Sequence, residues 1–404
     1  MRRFLIIALA AALLPVAAGA ANVVVPVLEL ATDGSWDPAL GSLVLRTRFA
    51  SDIVFQGGSK FAASLRLSLL AENLEKALAA GSADFSFPLD PAEIDALNDS
   101  AFIGVRSVSL TIPSLFGLPV STTYFAGHLD QLASGSDYPE LFGRNDPSTS
   151  MRGYIAFPDG IGGDRSRWYE GIHSINGTGI RLGVRALDGN FAGYLYGYQD
   201  GHFSYLSSGI WAADARAVLA LGPVELEAFV GGSGAYGPFG VYRAGLLFHY
   251  DTGNAGEFYL QAGLPMWDPT EPFMVENLYL LFEPRVKFGA GSVILTLFYH
   301  PATYLQRATT EGGMLDAAFD LRFGDVKEGA AQGGVRTVIS FDPGYESADP
   351  LLERPNSVSL SIAPYVDFTA GGIGWNVRVP VRVFPFDGPW YSLVEPIIAA
   401  RASF

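Results

Sequence analysis

Over most of its length this chain alternates apolar with polar residues at a period of two. No other feature constrains its fold as much. Leu315, Ala317, Phe319, Leu321 and Phe323 alternate with Asp316, Ala318, Asp320 and Arg322, and Val224, Leu226, Ala228 and Val230 with Glu225, Glu227 and Phe229. Tyr242, Ala244, Leu246, Phe248 and Tyr250 alternate with Arg243, Gly245, Leu247 and His249, and Val377, Val379, Val381 and Val383 with Asn376, Arg378, Pro380 and Arg382. Successive side chains of a strand point to opposite faces, so each stretch reads as a strand with one apolar and one charged face. A soluble sandwich alternates too. The number of such strands, each about ten residues long with aromatics near its ends, favours a closed barrel whose apolar face meets lipid.

The composition agrees. The chain is 49% hydrophobic and 13% aromatic with only 17% charged residues and 47 Gly, yet no segment beyond the N-terminus reaches the length of a helical span. A barrel can expose that much apolar surface to lipid without any long apolar run. Residues 1–20 read as a cleaved secretory signal, with Arg2 and Arg3 before an apolar stretch and Ala18-Gly19-Ala20 as the cleavage site. With no Cys there is neither a disulfide framework nor a lipidation site. A net charge of −15, more acidic once Arg2 and Arg3 are removed, argues against nucleic acid as a partner.

Counting back from the C-terminus, strands are expected at 391–404, 373–384, 357–368, 334–341, 314–323, 292–300, 276–288, 256–264, 241–250, 224–231, 212–221, 191–199, 178–187, 121–128, 101–111, 60–69, 43–54 and 23–30. That makes eighteen, with sixteen as the alternative because residues 70–100 contain helical stretches and read as a partly helical loop. Short turns such as Leu187-Asp188-Gly189-Asn190 alternate with longer polar connections. The expected fold is therefore all-β: a transmembrane antiparallel barrel over 21–404, with long external loops.

Residues 130–177 interrupt the pattern. They are dense in Gly, Pro, Asp and Arg, and so long an insertion points to function. The expectation is that this third long loop folds into the lumen. A charge aimed at lipid costs roughly 2–4 kcal/mol for Arg or Lys at mid-membrane, so the charged strand faces should line the lumen. Arg181 and Arg185, on the strand leaving the loop, are the first constriction candidates, followed by Arg378 and Arg382, then Arg243 and Arg322. Asp137, Glu140, Asp159, Asp164 and Glu170 would oppose them from the loop and set a transverse field. The bland alternative is that such charges only pair with one another.

Covalent chemistry finds little support, and no enzymatic activity, cofactor or metal is expected. His128, His173, His202, His249 and His300 never fall at metal-ligand spacing, and no nucleophile-elbow motif occurs. Residues 177–183 resemble a phosphate loop only superficially, because they open a strand rather than a helix. Tyr194, Tyr196 and Tyr198 alternate on one face and read as a stripe facing lipid or a neighbouring subunit.

Signal peptide, absence of Cys, alternating strands, short turns and a terminal Phe404 together resemble bacterial outer-membrane porins. In general porins the third external loop narrows the barrel, which matches the ordinal position of 130–177. The C-terminal LVEPIIAARASF is similar to the signal read by the barrel-assembly machinery, although Ala400 and Ala402 stand where larger residues are usual. The resemblance implies outer-membrane lipid as surroundings, passive diffusion of small hydrophilic solutes, and assembly as a homotrimer. Two other readings stay open: a surface adhesin or structural barrel, and a transporter of hydrophobic compounds opening laterally near Pro364 or Pro380.

Overall fold

The computed structural model describes residues 21–58, 61–71, 74, 101–151, 171–201, 210–234, 240–253, 255–270, 272–273, 275–301, 315–324, 330–342, 357–386 and 388–402. They form one closed antiparallel sheet. In chain order its segments are β1 (Ala21–Asp37), β2 (Ser42–Gly57), β3 (Ala62–Ala71), β4 (Ala101–Ile112), β5 (Val120–Leu132), β6 (His173–Ala186), β7 (Phe191–Asp200), β8 (Trp211–Leu221), β9 (Val224–Gly234) and β10 (Val241–Asp251). There follow β11 (Gly256–Trp267), β12 (Tyr279–Phe288), β13 (Gly291–Tyr299), β14 (Leu315–Gly324), β15 (Ala331–Asp342), β16 (Ser357–Ala370), β17 (Ile373–Arg378), β18 (Val381–Phe384) and β19 (Ile397–Ala402). Both β17 and β18 pair with β16, so they are two parts of one wall strand and the barrel has eighteen. It closes where β1 meets β19, with Leu28 opposite Ala402 and Asp33 opposite Ile397. Closure satisfies the backbone of every strand without water, which is what crossing a bilayer demands.

The two faces follow the alternation. On β9 the outward Leu226 and Val230 are exposed, while the inward Glu225 and Glu227 are buried. On β14, Leu315, Phe319 and Phe323 are exposed and Asp316 and Asp320 buried. A soluble fold would do the reverse; here the lipid side takes the apolar residues. No helix among the described residues is long and apolar enough to cross a membrane.

Eight connections at one end of the barrel, such as 222–223, 289–290 and 371–372, are short and mark the end at which the first described strand begins and the last one finishes. The Leu187-Asp188-Gly189 turn takes positive φ at all three residues. At the opposite end the connections are mostly long, and 133–172 is the third of them.

Three details differ from the sequence reading. β1 continues to Asp37 through Asp33-Gly34, a pair that locally looks like a turn. It stays extended because the Gly34 N–H donates to the Pro396 carbonyl (2.9 Å), and a Cβ on Gly34 would lie 3.1 Å from Pro396 Cγ. The last strand begins only at Ile397, since Trp390–Leu393 form a 3-10 turn whose Tyr391 ring lies against Trp36. The β17–β18 wall strand breaks at Val379-Pro380, where proline has no N–H for the ladder. Val379 N–H still reaches the Pro364 carbonyl (3.0 Å), and on the other side Glu395 N–H reaches that of Pro380 (3.0 Å). The seam is bridged by protein. The expected helical stretch at 70–100 lies almost wholly outside the described residues, as do the signal at 1–20 and Phe404.

Candidate functional site: a loop tied to the inner wall

The chain leaves the wall at Ala133, which is fully buried and has φ of 51°. That left-handed conformation is unusual for a residue with a Cβ, and it persists because both ends of the residue are held. Its N–H donates to Glu227 Oε1 on β9, and its carbonyl accepts from the Gln261 amide on β11. Gln261 in turn accepts from the Tyr279 hydroxyl (2.7 Å). A bulge between His128 and Gln131 precedes this pivot and accompanies the inward placement of Asp130, which accepts from Arg181 (2.8 Å) and from the Tyr196 hydroxyl (2.8 Å).

Beyond the pivot, Asp137 meets Arg216 of β8 at 2.5 Å and leads into a short helix, α1 (Tyr138–Phe142). Pro139 suits the first turn of α1, where no N–H is needed, and Gly143 ends it with φ of 64°. Tyr138 packs against Val218 and Ala220, near the short-turn end of β8. Burial, followed by the nearby charges of Glu227 and Glu225, pushes the Tyr138 hydroxyl well above the usual tyrosine range. Arg144 reaches the Gly222 carbonyl (2.6 Å) in the β8–β9 turn. The loop therefore descends the full height of the barrel.

It then runs along the inside of the wall to a second anchor on β12, three strands beyond β9. The Glu283 carboxylate of β12, fully buried, accepts from the Thr149 hydroxyl (2.8 Å), from the Ser150 N–H (3.0 Å) and hydroxyl (2.7 Å), and from Thr296 (2.8 Å). Arg285 Nε donates to its other oxygen (2.9 Å). From β15, Arg336 donates to the Ser150 carbonyl (2.9 Å) and touches Met151 Sδ (3.4 Å). An ionised carboxylate can be buried only when its lone pairs are taken up this way. Between the anchors, Met151 and Ile172 of the loop, with Leu132 and Ile175 at the adjoining ends of β5 and β6, join inward Phe125, Tyr198, Phe229, Leu247, Tyr279 and Phe298 in one apolar cluster. Ile172 sits over Gly245 and Gly263, which pair across β10 and β11; a Cβ on either would come within 2.8 and 3.2 Å of its Cδ1. The lumen on this side is packed like a domain core.

The structure places the sequence candidates in distinct settings. Arg181 is paired with Asp130, and Arg185, two residues along the same face, is exposed. Arg243 grips Asp214 through Nε and Nη2, both at 2.6 Å, and also bonds Ser233 (2.7 Å) and the Tyr198 hydroxyl (2.9 Å). Arg322 holds Asp320 (2.8 Å), which also accepts from Tyr365 (2.7 Å). Arg378 donates to Asn376 (2.8 Å), and Arg382 is exposed on β18, opposite Ser361. Asp137 touches Arg216 directly rather than facing it across a gap, and Glu140 is exposed on α1. Asp159, Asp164 and Glu170 lie outside the described residues.

The Tyr194, Tyr196 and Tyr198 stripe is corrected: it faces inward. Tyr196 and Tyr198 are buried and bonded to Asp130 and Asp214, while the alternate Leu195 is exposed to the lipid side. Asp200 shares the parity of the three tyrosines and carries the signal that could have told the faces apart. The loop residues that grip the wall, Thr149 and Ser150, and the wall residue Gln261 were not singled out by the sequence, because an uncharged side chain shows no partner until the fold supplies one.

An eighteen-stranded closed barrel with a long third loop folded inside it defines a porin-type β-barrel. Among solved structures the chain is similar to Acinetobacter baumannii OccAB3, at a TM-score of 0.50 and 11% identity, covering 95% of this chain and 99% of that one. It is also similar to A. baumannii OccAB4 (0.49, 9%, covering 95% and 98%) and to an engineered variant of Rh. blastica porin (0.48, 11%, covering 95% and 100%). No protein-family profile matches the chain, and no curated protein matches its sequence. The likeness lies in the fold.

Proposed function

We propose that this protein is an outer-membrane channel for passive diffusion of small hydrophilic solutes. What supports this most directly is the third loop, which runs inside a closed barrel and is fixed to its inner wall at Glu227 on β9 and Glu283 on β12, with a further contact to β15 through Arg336. A loop so held narrows the lumen by a constant amount, and inward charges at exposed positions, Arg185 and Arg382 among them, bias which ions pass. The mechanism is sieving with an electrostatic preference. The surrounding outer-membrane lipid, trimer formation and recognition of the C-terminus by the assembly machinery belong to the same reading.

One observation favours a second reading. The apolar cluster beneath the loop closes part of the lumen, as a structural barrel or adhesin would have it. Single-channel current from the refolded mature protein in a planar bilayer separates the two. Discrete, salt-proportional steps are expected; silence from a demonstrably folded barrel would overturn the channel reading.

A further inference from the structure

The inner face of β3 and β4 is built unlike the wall that holds the loop. Hydrogen bonds from residues 133–151 to the barrel run to strands between β8 and β15, and among the described residues none reaches β3 or β4. Arg66 of β3 points inward. It shares its parity with Ser68, whose hydroxyl donates to Asp52 (2.6 Å), while Leu65 and Leu67 take the other face. Register sets Ser107 of β4 directly opposite Arg66, and Ser109 directly opposite Ser64. Residues so paired have Cβ atoms about 4.5–5.5 Å apart, and diagonal neighbours stay within reach of a long side chain. Three hydroxyls therefore border the Arg66 stem. A bulge gives β4 one residue more at this point, Arg106, and its guanidinium turns to Asp52 (3.3 Å). Arg66 itself makes no hydrogen bond or ion pair among the described residues, and neither do the side chains of Ser64, Ser107 and Ser109. Asp52, Glu140 and Asp130 act on its charge from beyond ion-pair distance. Two of these are already engaged, Asp52 by Ser68 and Arg106, Asp130 by Arg181 and Tyr196; Glu140 is exposed on α1.

We infer that Arg66, with the hydroxyls of Ser64, Ser107 and Ser109, is an anion-binding subsite of the lumen, so that a chain of net charge −15 passes small oxyanions in preference to cations. Passage rests on the channel reading above; binding does not. The chemistry selects the ligand. A guanidinium carries five N–H donors and no acceptor, and each serine can add an O–H donor, so an oxyanion is the partner that uses the whole set. A cation in the same place meets a like charge, and the carboxylate on the neighbouring strand, Asp52, is already held by an arginine. Net charge misleads here because most acidic groups of the inner wall are neutralised in contact, as Asp214 is by Arg243 and Asp320 by Arg322. What a permeating ion senses is the charge left over nearby. Arg185 supplies the contrast. It is also unpaired and inward, but it faces Ala192 and has Gly183 beside it, with no hydroxyl on either.

Phenylglyoxal, which adds to guanidinium groups that are not engaged, reads the subsite by peptide mapping of the folded barrel. Arg66 is expected to react several-fold faster than the buried, paired Arg243. Inorganic phosphate should slow the reaction at Arg66 several-fold and leave Arg185 unchanged. No protection at Arg66, or equal protection at both arginines, would overturn the subsite. The second measurement is the reversal potential under a potassium chloride gradient in a planar bilayer. An anion-preferring sign is expected, and Arg66→Gln, shown to be folded by its heat-modifiable gel shift, should lower the chloride-to-potassium permeability ratio several-fold. A cation-preferring wild type, or a ratio unchanged by Arg66→Gln, would overturn the preference. A folded barrel that stays silent while phosphate still protects Arg66 would overturn the channel reading and leave the subsite standing.

Discussion

Glu283 shows how much of the loop's position rests on a single side chain. Replacing it with Ala removes the acceptor of Thr149, Ser150 and Thr296 and leaves Arg285 with one carboxylate fewer. Breaking a buried charged pair from one side costs about 3–5 kcal/mol. Here much of that loss can be relieved by releasing the loop, so Glu283→Ala should leave a folded barrel with a protease-sensitive loop and noisier conductance. Limited proteolysis beside a heat-modifiable gel shift checks this, and an uncut loop would show that the anchor is not Glu283. Gly245→Ala should act from the other side. Its new Cβ would stand 2.6 Å from Phe229 and 2.8 Å from Ile172, an overpacking of about 1–3 kcal/mol measurable by urea unfolding in detergent or lipid. Arg185→Ala, at an exposed position, should change stability by no more than about 0.5 kcal/mol.

At the scale of elements, the third loop and the strands are stabilised by different means. The strands are held by a continuous ladder around the barrel, and the loop by side chains reaching out from β8, β9, β11, β12 and β15. Removing residues 134–170 should therefore leave the wall able to close while widening the lumen. A rise in single-channel conductance is the expected result, and unchanged conductance would mean that the constriction lies elsewhere. The strand boundaries themselves were largely legible in the sequence, because a period of two survives any tertiary setting. The exceptions are instructive. Asp33-Gly34 carries a local turn signal that pairing with β2 and the Pro396 contact override, and Pro380 breaks a strand that the valine alternation suggested would run through.

For the whole molecule, the decisive asymmetry is that apolar residues face out. Leu295, near the middle of β13 and 40% exposed, looks to the lipid. Leu295→Arg should cost roughly 2–4 kcal/mol in a refolding titration into lipid vesicles, the depth-dependent penalty of a charge at the bilayer midplane. A negligible cost would place that face in water and overturn the membrane orientation. A salt gradient across the bilayer would then show, through the sign of the reversal potential, which charge the lumen prefers.

The sequence by itself determined an antiparallel barrel and marked 130–177 as its long insertion, because alternation, turn chemistry and strand length are local properties; eighteen strands over sixteen, and the loop's course inside the wall, were decided by the tertiary structure. It also determined that charged faces line the inside, since lipid will not accept them. Which charges neutralise one another was decided only by the tertiary structure. Arg216 meets Asp137 across 79 positions and Thr149 meets Glu283 across 134, and no local pattern records such distances. The same holds for the hydroxyls of Tyr196 and Tyr198: periodicity places them on one face, which Asp200 marks as the inner one, but only the closed wall brought them to Asp130 and Asp214.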